Sequence, residues 1–296
     1  MTEEHFNKIF NVVVLNSRDT PNLNVDCGSE HVQKEKQVPS HLLEYIDKNI
    51  PADANLGDMS FISYDGDADR AVAYRVQRGS TAADLFEGDK MGALYALFCQ
   101  KTLAKIVELQ NTLKGVVDVK EDFSKWTIGA ALTAYANGAA QVYYRDTLKV
   151  TLMIEPTGVK YLHRAAENFD IGIYFESNGH GTVVYNHDKI HHLEEAVKIA
   201  EVHHKNAPEG QQQNATALYH QLKLLYLFLI EANQGVGDAI SNFLQIETAL
   251  AGLGLNATGW KAIYTDLENA HSKVVVKNRM AIKVSYDQSR VTTPIG

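Results

Sequence analysis

Short β-branched runs early in the chain, one long helical stripe and several amphipathic stretches late in the chain set the predicted order of elements. Ile9-Phe10-Asn11-Val12-Val13-Val14-Leu15 has the character of a buried parallel strand, and Ser60-Phe61-Ile62-Ser63-Tyr64 reads the same way, so both are expected in one sheet. Between Gly88 and Gly115, the apolar positions Leu94, Leu97, Phe98, Leu103, Ile106 and Val107 recur at helical spacing, with Gly115 placed to end the helix. The polar stretch Asp118 to Lys125 then serves as a boundary, which gives a first α/β unit over residues 1–120. Trp126 to Thr133, Val150 to Ile154 and Ile171 to Phe175 read as strands alternating with helices. From Asp188 the pattern turns helical over Asp188 to His204, Ala215 to Ala232 and Asp238 to Leu253, with Asp238 and Thr258 as expected N-caps. Val274-Val275-Val276 predicts a late strand. The second unit is expected over 121–285, with 286–296 as a linker. No repeat of fixed period is visible.

Composition narrows the function classes. At 296 residues, 45% hydrophobic and 22% charged, the chain is ordinary globular material for roughly two domains, which excludes wholesale disorder. A net charge of −8 without a Lys/Arg-rich face argues against nucleic acid as partner. Cys27 and Cys99 cannot build a disulfide framework, and Cys99 falls on the long helix as an ordinary buried thiol. Glu3 and Glu4 stand where an export signal carries positive charge, so the expected location is cytoplasmic. The longest apolar run, Leu224 to Ile230, is far short of the ~18–20 residues that cross a bilayer, so no membrane partner is expected. The Asn-x-Thr triplets at Asn214 and Asn256 then read as chance.

The sharpest chemical signal is Asp65-Gly66-Asp67-Ala68-Asp69-Arg70, directly after a predicted strand. Carboxylates at i, i+2 and i+4 repel unless a cation sits among them, and hard oxygen ligands suit Mg²⁺ or Ca²⁺. An EF-hand is excluded, because its sixth and twelfth positions fall on Arg70 and Val76. From the residues alone, a divalent-ion site and a solvated acidic turn both remain open. Arg70 adds a bidentate-capable cation of the kind phosphate chemistry uses.

The second signal is Glu176-Ser177-Asn178-Gly179-His180-Gly181-Thr182, at the end of a predicted strand. If the strand continues, Glu176 and Asn178 share one side, and Gly179 and Gly181 let the backbone approach a ligand, an arrangement suited to sugar hydroxyls. Spacing alone favours a plain turn between two strands, and no dinucleotide or P-loop fingerprint is present. Thr157-Gly158-Val159-Lys160 opens a helix where Lys160 can meet a phosphate, or is simply an exposed lysine on a capped helix. His187 to His192 reads as a solvated helix face rather than zinc, and Ser40-His41 has no oxyanion loop or acidic partner.

Taken together, Asp65 to Arg70, Tyr135-Ala136-Asn137-Gly138 with Thr157 to Lys160, Phe169 to Thr182, Gly237 to Ser241 and Tyr264 to Leu267 resemble the phosphoacetylglucosamine mutases of the phosphohexomutase superfamily. Ser177 replaces the usual Ala. The resemblance implies a Mg²⁺-dependent isomerase that converts N-acetylglucosamine 6-phosphate to the 1-phosphate through a phosphoserine. It assigns Asp65, Asp67 and Asp69 to Mg²⁺, and Arg70 and Lys160 to catalysis beside the phosphoserine and the phosphate. It assigns Glu176, Asn178, Gly179, His180 and Thr157 to the sugar. Family members have four α/β domains. The Thr-Ala-Ser-His serine loop is not in these 296 residues, and neither is the strand that should precede Ile9, while Arg290-Val291-Thr292-Thr293 falls near the entry to a fourth domain. The expected architecture is therefore two consecutive mixed or parallel-sheet α/β domains, metal-binding and then sugar-binding, without the first and fourth. Such a chain is expected to be inactive alone. Its implied partners are N-acetylglucosamine phosphates and either the domains it lacks or an intact mutase. The alternative is a non-catalytic remnant or regulatory partner that binds metal and sugar phosphate.

Overall fold

The computed structural model describes residues 12–17, 25–268 and 274–294. Helices α1 (Gly28–Glu35) and α2 (Ser40–Asn49) precede a three-stranded antiparallel sheet of β1 (Phe61–Tyr64), β2 (Ala71–Val76) and β3 (Ala83–Phe86), in that order. β2 is the central strand and is buried on both faces. Val72, Tyr74 and Val76 join Val32, Leu42 and Ile46 in one cluster, while Ala71 and Ala73 turn to the opposite side, as a period of two requires.

That opposite side is continuous with the main core. Helix α3 (Gly88–Thr112) runs through it, packed on β4 (Ile128–Thr133) and β6 (Ile171–Phe175) and covered by α7 (Gln212–Glu231) and α8 (Ala239–Leu253). This explains why α3 is apolar nearly all round: Met91, Leu94, Tyr95, Phe98, Cys99 and Ile106 are all buried, and burial pushes the Cys99 thiol well up. The second sheet is mixed, in the order β5 (Thr151–Glu155), β4, β6, β7 (Gly181–Tyr185), with β4 parallel to β5 and β6, and β7 antiparallel. Helices α4 (Gly138–Val142) and α5 (Val159–Ala166) make the crossovers from β4 to β5 and from β5 to β6. Leu162, Ala165 and Ala166 of α5 cover Ala131 and Tyr174 on the face away from α3. The result is a helix–sheet–helix sandwich. Helix α6 (His187–Asn206) pairs with α7, and the short α9 (Ala257–Lys261) stacks Trp260 on Phe86 of β3 at 4.0 Å. A two-stranded hairpin follows, β8 (Lys283–Val284) with β9 (Val291–Thr293).

Several local expectations are corrected. Ile9 to Asn11 lie outside the described residues, and Val12 to Leu15 form no strand; Val14 is 74% exposed. A β-branched run becomes a strand only where a sheet edge pairs with it, and nothing pairs with these residues among those described. Phe61 to Tyr64 is half-buried and antiparallel rather than buried and parallel, since a six-residue connection to β2 can only turn the chain back. Val274 to Val276 is irregular, with Val274 and Val275 exposed, for the same lack of a partner among the described residues. Thr258 sits inside α9, which Asn256 caps instead, and the expected linker at Thr292 is partly the strand β9.

Candidate functional site

The C-terminal ends of the parallel strands gather the loops that carry the chemistry, the usual location for ligands in open α/β sheets. A cleft of about 640 Å³ lies at the other end, where Thr127, Ile128, Val150 and Thr151 begin β4 and β5. It takes none of the predicted site residues.

The acidic motif forms the tip of the β1–β2 hairpin. Asp65 organises it: its Oδ1 accepts from the backbone N–H of Asp69 and of Arg70, both at 3.1 Å, and Ala68 takes a left-handed conformation at φ 57°. This folds the loop so that Asp65, Asp67 and Asp69 each offer a carboxylate oxygen, all within 4.8 Å of one another. Arg70 is the counter-charge within the loop, with Nε 3.6 Å from Asp65 Oδ2 and 3.4 Å from Asp69 Oδ1. Neither approach has hydrogen-bond geometry, and Asp69 Oδ1 is buried without a hydrogen-bond partner. Three acids against one guanidinium, with an orphaned carboxylate oxygen, is a donor set that fits a hard divalent cation.

The second motif is the tight β6–β7 turn. Glu176 N–H donates to His180 O at 2.9 Å, Gly179 N–H to Glu176 O at 2.9 Å, and His180 N–H to Asn178 Oδ1 at 3.0 Å. Glu176 is 6% exposed, and its two oxygens accept from Gly158 N–H at 3.0 Å and from Asn178 Nδ2 at 3.3 Å. The strand does not continue as expected: β6 ends at Phe175, and Glu176 and Asn178 meet within the turn through that side-chain hydrogen bond. A carboxylate has about four lone-pair positions, so two remain for a ligand.

The glycines serve a different purpose from the one expected. A Cβ on Gly179, at φ +87°, would lie 1.8 Å from Ala71 O, and one on Gly181 would lie 2.1 Å from Tyr174 O. The space is taken by the protein's own backbone rather than kept open for a ligand. The consequence is contact between the two loops: Gly179 packs on the first residue of β2, and His180 Nδ1 sits 3.4 Å from Asp69 Oδ2.

The third predicted stretch is adjacent but more open. Gly158 binds Glu176, while Thr157 and Lys160 are exposed, with Lys160 Nζ over the Tyr161 ring. Thr157 N–H donates to Gln288 Oε1 at 3.3 Å, and Tyr286 hydroxyl to Glu155 Oε2 at 3.1 Å, so the terminal hairpin rests on this loop. The structure also brings in residues that sequence reasoning did not single out. Gln33 of α1 donates from Nε2 to Ser177 O at 2.9 Å, while Asp238, already expected as an N-cap, caps α8, whose Ala239 N–H donates to Ala68 O at 3.0 Å and so anchors the acidic loop. Gln33 carried no signal at all. Asp89 and Lys90, both 1% exposed at the start of α3, could have been suspected as an acid and a base too close to an apolar stripe to stay in water.

A family model described as phosphoacetylglucosamine mutase AMG1, domain III, matches residues 87–255. A phosphoacetylglucosamine mutase of Candida albicans is 35% identical over all of this chain and 47% of its own length, and one of Oryza sativa subsp. japonica is 37% identical over 93% and 44%. The chain therefore spans about half the length of the curated relatives it matches. Among solved structures, an N-acetylglucosamine-phosphate mutase in its product complex superimposes with a TM-score of 0.68 at 35% identity, covering 93% of this chain and 44% of that one. The Aspergillus fumigatus N-acetylphosphoglucosamine mutase in complex with GlcNAc-6P and magnesium gives 0.65 at 32% identity, covering 93% and 47%. No helix among the described residues is long and apolar enough to cross a membrane.

Proposed function

The chain belongs to the phosphoacetylglucosamine mutase family, and from that premise we propose that it supplies the metal-binding and sugar-binding parts of an isomerase active site. The reaction is the interconversion of N-acetylglucosamine 6-phosphate and 1-phosphate. The observation that carries this reading is the direct contact between two loops of different chemistry, with His180 Nδ1 3.4 Å from the Asp69 carboxylate. A metal and a sugar held there share one site.

Asp65, Asp67 and Asp69 hold Mg²⁺, which when bound supplies positive charge to offset that on a transferring phosphoryl group. Arg70, with its side chain 43% exposed beside these carboxylates, offers N–H donors to phosphate oxygens at the same edge. Glu176 accepts from sugar hydroxyls on its two remaining positions, and Asn178 offers an amide to the acetamido group. Their mutual hydrogen bond holds both in place before the sugar arrives. Lys160 and the N-terminal turn of α5 attract the substrate phosphate, and Thr157 lines the entry. Positioning does most of the work in such a transfer. The proposal includes the division into a metal-binding unit over 1–120, a sugar-binding unit over 121–285 and a linker over 286–296, with α3 built into the core of the second sheet.

Titration calorimetry with Mg²⁺ on the chain and on Asp67→Ala tests the metal assignment; equal heats overturn it. Saturation-transfer NMR tests the sugar assignment. N-acetylglucosamine 1-phosphate is expected to give a stronger signal than glucose 1-phosphate, with Glu176→Ala weakening the former most, because an unpaired buried carboxylate discriminates sharply. Equal signals that Glu176→Ala leaves unchanged would reduce the Glu176 to Thr182 stretch to a turn.

A further inference from the structure

Two stretches marked out in the sequence, Tyr135 to Gly138 and Tyr264 to Leu267, have no part in the metal and sugar loops, yet they meet in space. The Asn137 side chain grips the backbone of Leu267 at two points, with Nδ2 donating to Leu267 O at 2.9 Å and Leu267 N–H donating to Oδ1 at 3.1 Å. The same Oδ1 accepts from Ala139 N–H at 3.0 Å and so caps α4. From below, the buried Asp89 carboxylate accepts from Asn137 N–H at 2.8 Å. Alongside, Lys90 Nζ donates to Tyr264 O at 3.0 Å and to Asp266 Oδ2 at 2.9 Å, and lies over the Tyr264 ring. Asn137, Asp89 and Lys90 are all buried and their side chains are hydrogen-bonded, a polar knot of the kind that fixes one local arrangement.

What the knot fixes is the turn after β4. Register pairs Thr133 of β4 with Glu155 of β5, and Leu132 with Phe175 of β6, one residue before Glu176. Ala136 N–H closes the turn onto Thr133 O at 3.1 Å. Tyr135 therefore stands between the Thr157 loop and the Glu176 loop, at the mouth of the site. It is 42% exposed, a large aromatic ring in an otherwise polar opening. Burial raises the pKa of its hydroxyl, and the nearby Glu176 carboxylate raises it further, in keeping with a side chain that stands beside the Glu176 loop. Ligand sites commonly combine a few placed polar groups with an aromatic surface, and a sugar has an apolar C–H face that needs one.

We infer that Tyr135 is a further substrate-contacting residue, a ring surface for the sugar, and that Asn137 is its positioning residue through the grip on Leu267. The inference rests on the sugar assignment proposed above and adds the specificity element that Glu176 and Asn178 do not supply.

The test is a double-mutant cycle on the full chain, read by NMR titration with N-acetylglucosamine 1-phosphate, with Mg²⁺ calorimetry as control. Tyr135→Ala is expected to weaken sugar-phosphate binding about fivefold to tenfold and to leave the Mg²⁺ heat unchanged, and Tyr135→Phe to bind within about twofold of the unaltered chain. Asn137→Ser keeps a helix cap and loses the grip on Leu267; it is expected to weaken binding in the unaltered background and to add nothing when Tyr135 is already Ala. Full additivity would make Asn137 merely structural. If Glu176→Ala weakens binding and Tyr135→Ala does not, the Tyr135 inference falls and the sugar assignment stands. If neither variant changes binding, or the unaltered chain gives no signal, both fall. A loss in Tyr135→Phe equal to that in Tyr135→Ala would assign the contact to the hydroxyl and overturn the ring surface.

Discussion

The two loops at the centre of the site are built on opposite principles. Asp65 to Arg70 is half exposed and crowded with like charge, and it leaves Asp69 Oδ1 and Arg70 Nε without hydrogen bonds. Glu176 to His180 is largely buried and tied together by its own backbone, with Gly88 N–H and Gln33 Nε2 both donating to Ser177 O. The first arrangement is one that the proposed cation would complete. The second has its backbone framework in place before any ligand arrives. A charged ligand can supply the energy to order a loop, whereas a neutral sugar, recognised by weak hydrogen bonds, repays binding only if the groups are already in place.

The strongest way to break this contrast is at the contact between the loops. Gly179→Ala places a methyl group 1.8 Å from Ala71 O in a left-handed backbone conformation, and is expected to cost more than about 3 kcal/mol by urea denaturation. Gly66→Ala in the metal loop, where a Cβ meets nothing within 4 Å, is expected to cost under ~1 kcal/mol. Equal costs would mean that the sugar loop is no more rigid than its neighbour.

The preformed side also carries a pH signature. Burial raises the Asp89 carboxyl to about 6, against the bonds from Asn137 and Lys90 backbone N–H groups. The folded state then holds a proton that the unfolded state releases near pH 4. The stability this provides is fully present below that value and is lost as pH rises through about 6, on the order of 2–3 kcal/mol. The difference in thermal midpoint between the chain and Asp89→Asn is expected to change across pH 4 to 6. A constant difference would mean that Asp89 titrates normally.

On the metal side, Mg²⁺ at about ten times its Kd is expected to stabilise the chain by roughly 1.4 kcal/mol and Asp67→Ala much less. Without metal, Asp67→Ala is expected to be neutral or slightly stabilising, because it relieves repulsion. A rise of equal size in both proteins on adding Mg²⁺ would place the ion elsewhere. The smallest effect concerns Ser177, whose hydroxyl is buried without a partner. Ser177→Ala is expected to leave stability unchanged or raise it by up to ~1 kcal/mol, since it removes an unsatisfied group and leaves the Gly88 and Gln33 bonds to the Ser177 carbonyl intact. A clear loss would reveal a role for that hydroxyl.

Much of this was legible along the chain because it is local. The i, i+2, i+4 spacing of Asp65, Asp67 and Asp69 already marks three carboxylates on one short stretch, and the apolar positions from Leu94 to Val107 already predict a helix. Asp238 could be read as a cap because capping involves only the next three residues. Strand readings fared worse where a partner was needed: Val12 to Val14 and Val274 to Val276 have the composition of strands and no sheet edge among the described residues.

The glycines show the limit most clearly. Sequence alone determined that positions 179 and 181 carry no side chain and so allow something to approach closely. Only the tertiary structure decided what that something is. Ala71, 108 positions earlier in the chain, fills the space beside Gly179, and that contact sets the acidic loop against the β6–β7 turn. The grip of Asn137 on Leu267, 130 residues apart, is of the same kind. Spacing along the chain fixes what neighbouring residues can do together. Which distant backbone groups meet is set by how strands order themselves and helices pack to bury one common core, and no local pattern encodes that.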